Sequence, residues 1–146
     1  MRDDQTGEAP PSALALGAAG LVPFVALSGL VLVGRTELMG IATRPALLVY
    51  GAIIASFLGG IRWGLAACLG LGLRDYGLSV VPSLLAWVAC ALPPPWDLRG
   101  MGLLVLAWGL VDQDFLRRGA APHWLGRLRL ALSAAAGFTL LAAGWA

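Results

Sequence analysis

Arg62 stands in the run SFLGGIRWGLA, inside a long apolar stretch. A mid-span arginine raises the free energy of insertion by roughly 2.5 to 3.5 kcal/mol. It therefore has to meet an acid, a group of backbone carbonyls or a wet cavity. Eight acids are available, and six fall in the N-terminal tail or in segments read as loops. The other two are Asp112 and Asp114. Arg117 and Arg118 follow Asp114 at helix-neighbour spacings, so Asp114 reads as a solvated ion pair at a helix end. Asp112 has Phe115 and Leu116 one turn on, and Trp108 and Gly109 one turn back. It lies on an apolar face with no partner in its own helix, and a buried carboxylate needs one. We expect a polar cluster of Arg62, Asp112, Arg127 and Arg129, walled by Trp63 and Trp108. Such a cluster could be a structural clamp or a ligand site. Its surplus of arginine over acid suits an anionic headgroup or an acidic small molecule. Carbonyls freed by Pro23 and Pro82 are the other partners open to Arg62.

The elements that carry these residues follow from composition. Of 146 residues, 59% are hydrophobic and 12% charged, and the mean hydropathy is +0.82. A soluble domain of this size has too little interior for that much apolar surface, whereas a bilayer accommodates it. All ten basic residues are arginine, and the net charge of +2 is too small and scattered for nucleic-acid binding. Cys68 and Cys90 both lie in apolar runs, without a CxxC motif, and His123 is the only histidine. No metal site and no cofactor are expected.

Five apolar segments appear, at about Ala13–Val33, Pro45–Leu71, Leu78–Leu92, Leu98–Leu116 and Leu125–Ala146. Ser12 is placed to cap the first, and Pro93-Pro94-Pro95 ends the third. The fold class expected is all-α: an integral membrane bundle of about five transmembrane helices. Residues 1–12, polar and proline-containing, read as a disordered tail. Residues 13–146 read as one five-helix transmembrane domain, with short loops that make neighbours antiparallel. The first segment is too long and its start too acidic for a cleaved signal peptide.

Loop arginines set the expected orientation. Arg2, Arg74, Arg117, Arg118, Arg127 and Arg129 fall on one side, against Arg35, Arg44 and Arg99 on the other. This places the N-terminus in the cytoplasm and the C-terminus outside a bacterial inner membrane. Trp96, Trp124 and Trp145 lie at segment ends, as an aromatic belt requires.

The second segment carries two stripes of small residues. One is Ala52, Ser56, Gly60 and Gly64; the other is Gly51, Ala55 and Gly59, with Arg62 along it. In lipid, helices associate by close approach across such residues, so this helix is expected at the centre. A deformable helix beside a ligand is the alternative.

There is no serine–histidine pair, no HExxH, no phosphate loop and no dinucleotide fingerprint. The reading is a non-enzymatic protein. Its expected partners are the lipid bilayer, a lipid or amphiphilic small molecule, and a second copy or a membrane protein partner, but no nucleic acid. An oligomeric transporter or channel component, a purely structural scaffold and an enzyme acting on a membrane substrate are the alternatives.

The runs GLVPF, YGAIIASFLGGIRWGLA, SVVPSLLAW and WLGRLRLAL carry a resemblance over about Leu16–Ser133. The chain resembles the small membrane proteins grouped as domain of unknown function 3429, which are similar to transmembrane protein 69. The resemblance implies a five-helix membrane protein without an established activity. It would place Gly59, Gly60, Trp63, Gly64, Pro82, Asp112, Trp124, Arg127 and Arg129 on that family's recurring pattern.

Overall fold

A computed structural model describes residues 8–146, with the side chains of residues 115 and 116 left aside. Five long helices form the bundle: α1 (Pro11–Leu32), α2 (Thr43–Leu69), α3 (Leu73–Ala91), α4 (Trp96–Val111) and α6 (His123–Ala143). A short helix, α5 (Gln113–Arg117), follows α4. Two short strands, β1 (Glu37–Leu38) and β2 (Ile41–Ala42), pair antiparallel between α1 and α2. The all-α bundle agrees with the sequence reading. By length and apolarity α1, α2 and α6 qualify as membrane spans, while α4, with 16 residues, rises only about 24 Å.

Each boundary that departs from expectation has a local cause. Helix α1 begins at Pro11, with Pro10 preceding it and no side-chain cap, so Ser12 lies inside the helix rather than capping it. Proline suits a first turn because its missing N–H has no intrahelical partner there. The expected disordered tail otherwise lies largely outside the described residues. Gly70 ends α2 with φ +63°, a left-handed conformation that glycine adopts without strain. Only Leu71 and Gly72 then separate it from α3. Helix α3 therefore starts five residues earlier than expected and takes up Arg74 and Asp75. The fourth apolar segment is two helices, because α4 stops at Asp112.

Helix α2 is central, packed against α1, α3 and α4, while α6 packs on α4 and α1. The buried residues of each inner helix recur at alternating spacings of three and four. On α3 they are Asp75, Ser79, Pro82, Ala86 and Ala89. On α4 they include Leu98, Met101, Val105 and Trp108, and Asp112 continues the series. On α6 they include Gly126, Arg129, Ser133, Ala136 and Leu140. This is the seam of helices crossing at shallow angles.

The two stripes on α2 have different fates. Gly51, Ala55 and Gly59 are buried. A Cβ at Gly51 would press on Met101, and one at Gly59 would run into the carbonyl oxygen of Ser79. Ser56, Gly60 and Gly64 are exposed, and a Cβ at Gly60 or Gly64 would meet nothing. At the end of the bundle that carries the β-hairpin, Arg44 pairs with Asp97 through two hydrogen bonds of 2.6 and 3.1 Å. Arg99 there donates to the Gly144 carbonyl and lies 3.9 Å from the ring centre of Trp145. That cation–π contact holds the last turn of α6 against the start of α4.

Candidate functional site

Arg62 lies seven residues before the end of α2, about 10 Å along its axis. Its side chain is entirely buried. One guanidinium nitrogen donates to Asp75 at 2.9 Å and the other to Asp112 at 3.4 Å. Arg129 on α6 also donates to Asp112, from the opposite side, and to the Leu58 carbonyl at 3.3 Å. Of the partners left open for Arg62, the structure has Asp112, as one link of a longer network.

The network continues to the end of the bundle. Arg118 grips Asp75 through both carboxylate oxygens, at 2.6 and 3.0 Å, and meets Asp114 at 2.9 Å. Arg118 lies beyond the helices, and its hydrogen bonds to Asp75 hold its guanidinium more firmly charged than usual. Asp114 also stands 3.6 Å from both Arg62 and Arg74. Four arginines (62, 74, 118, 129) thus meet three aspartates (75, 112, 114), with Arg74 largely exposed at the edge. Coulomb attraction between unit charges is several-fold stronger inside a bundle than in water, yet desolvation offsets much of it. Each carboxylate here has at least two arginine neighbours, which is what makes burial of so many charges tolerable.

Three of the six expected cluster residues do not join it. Arg127 is exposed and lines a surface groove with Glu8 and Trp124. It lies two residues from Arg129, and that spacing puts two side chains on opposite faces of a helix. Trp63 is half exposed and meets Tyr76 edge to face at 5.0 Å. Trp108 is buried in the core cluster, and its indole N–H has no hydrogen-bond partner among the described residues. Asp75 and Arg118 were not expected in the cluster. In the sequence Asp75 reads as part of a loop, although its spacing of four to Ser79 and seven to Pro82 puts all three on one helical face. Asp114, read as a local pair with Arg117 and Arg118, uses Arg118 and reaches into the network. The surplus of arginine narrows to one, the exposed Arg74.

Two cavities adjoin the network. The smaller, about 10 Å³, lies among Arg62, Asp112, Gly126 and Arg129, and is about the size of one water molecule. The Nε of Arg129 is buried without a partner among the described residues. The larger, about 170 Å³, lies among α1, α2, α4 and α6, and Ser133 is its only polar side chain. Its lining residues Leu58 and Ser133 stand one helical turn from Arg62 and Arg129 respectively.

A helical membrane bundle tied together by a largely buried arginine–aspartate network is the class of protein that this fold and cluster define. Residues 9–144 match the family described as protein of unknown function DUF3429. The chain belongs to that family. It is 34% identical to transmembrane protein 69 of Xenopus tropicalis over 92% of this chain and 54% of that protein. It is 27% identical to transmembrane protein 69 of Mus musculus over 84% of this chain and 51% of that protein. The chain thus spans about half the length of these curated relatives. No solved structure matches it.

Proposed function

We propose that this membrane protein is a non-enzymatic binder of an amphiphilic molecule drawn from the bilayer. The observation that carries this reading is the apolar cavity of about 170 Å³ resting one turn from the ion-pair network. The network lies one turn from the cavity and adds no residue to its lining, so the part of the ligand held there is the apolar part. Among the described residues, each buried carboxylate is held by arginine, which speaks against an idle base that would take a proton from a substrate.

The reading is tested by untargeted mass spectrometry of molecules retained when the protein is purified in native-lipid discs. One species enriched over the surrounding membrane is expected. A retained pool identical in composition to the bulk lipid would overturn it.

A second reading, an oligomeric channel or transporter component, is favoured by the open stripe of Ser56, Gly60 and Gly64. Small residues on a lipid-facing surface allow close approach of another helix. Disulfide crosslinking of a Gly60→Cys chain in membranes tests it, and a purely monomeric product would exclude it. The arginine bias of the loops supports an N-terminus in the cytoplasm of a bacterial inner membrane.

A further inference from the structure

The larger cavity has a shape and a mouth that narrow what can fill it. Along α1 it runs from Leu16 to Phe24, about 12 Å of helix axis. Its floor is made by buried residues, among them Phe24, Leu58, Val105 and Ala136. Its rim residues Leu16 and Phe57 are exposed. Both belong to helices long and apolar enough to span the membrane, and both lie several residues inside them. The mouth therefore opens between α1 and α2 at the depth of the hydrocarbon, not at the aqueous end. No charged side chain lines the wall. An apolar cavity of about 150 Å³ already admits a benzene ring and stays dry when empty. A long, dry, uncharged slot of this volume matches a segment of hydrocarbon chain and excludes a headgroup.

We propose that this slot seats one acyl chain of a membrane phospholipid, entering sideways between α1 and α2 with its headgroup left at the bilayer surface. This rests on the amphiphile-binding reading and gives it a seat and a ligand class. The Ser133 hydroxyl is the one polar side chain among the described lining residues, so the fit is to the chain. On the α1 side of the slot Gly17 makes room for Leu132 of α6, and Gly20 leaves the wall without a side chain. A Cβ at Gly20 would meet only the Tyr50 hydroxyl, at an ordinary 4.0 Å. A leucine there fits the helix while its side chain fills the slot.

The test uses the full chain in phosphatidylcholine discs doped with phosphatidylcholine bearing a diazirine at the end of one chain. Photolabelled residues are mapped by peptide mass spectrometry. Adducts on Phe24, Leu58 or Ala136 are expected, with their loss in Gly20→Leu and in Ala136→Leu. Val22 and Val25, exposed on α1, report ordinary annular lipid and should label equally in all three chains. A wild-type thermal unfolding midpoint for each variant shows that it is folded. Adducts confined to Val22 and Val25 would overturn the proposal. So would floor adducts that survive both substitutions. Labelling of the floor by an isoprenoid-tailed diazirine but not by the phospholipid would reassign the slot and overturn the phospholipid assignment. A molecule enriched in native discs but equally retained by Gly20→Leu would sink this seat while leaving the broader reading standing.

Discussion

Arg62 shows how a single charge organises its surroundings. Its guanidinium reaches Asp75 and Asp112 on two different helices. Removing one partner of a buried ion pair typically destabilises by about 3–5 kcal/mol, because a charge is left behind. Arg62→Leu should lower stability by that order, read as unfolding midpoint in detergent micelles. An unchanged midpoint would remove the network from any structural role. The charge swap Arg62→Asp with Asp112→Arg should not rescue it. The new aspartate would face Asp75 and the new arginine would face Arg129, so both exchanges create repulsion. Arg127→Gln, outside the network, should change stability by no more than about 0.5 kcal/mol. The sequence made Arg62 and Asp112 legible because each is a charge with no partner in its own apolar segment. Asp75 was not legible in the same way, because Arg74 beside it makes the stretch look like a polar loop.

Helix α2 carries two stripes of nearly identical composition, and the fold uses them in opposite ways. The one continuous with Arg62 packs against α3 and α4, since the helix must turn its charge inward. The other faces outward. Gly59→Ala should cost about 1–3 kcal/mol, as overpacking does, because Ser79 presents backbone and not a yielding side chain. Gly60→Ala should be neutral or stabilise by up to about 1 kcal/mol, the helix-propensity difference. Thermal unfolding of the two variants side by side checks this, and equal effects would mean that both stripes are packed. Composition alone could not rank the stripes, but the charge at the end of one of them could. The boundaries of α3 and α4 escaped the sequence reading for a related reason. Apolar run length locates the middle of a span, whereas Gly70 and Asp112 decide where helices stop.

At the scale of the molecule, the five-helix bundle was readable from hydropathy, and the β-hairpin and the cavities were not, since they depend on how helices sit together. The chain also offers its own topological markers. Cys68 and Cys90 are both exposed, each one residue from the end of its helix, at opposite ends of the bundle. With the N-terminus in the cytoplasm, a membrane-impermeant maleimide should label Cys68 in inverted vesicles and Cys90 in right-side-out ones, each shown in a single-cysteine chain. The opposite pattern would reverse the orientation. The network has a consequence for how the chain enters the membrane as it is made. Arg62 finds Asp75 only 13 residues later, across the tight turn joining α2 to α3. Asp112 finds Arg129 only 17 residues later, across the turn into α6. Each helical hairpin thus contains one ion pair that closes within the hairpin itself. The pair in the α2–α3 hairpin can form before α4 has been synthesised, so that Arg62 need not wait for the rest of the bundle to meet a carboxylate.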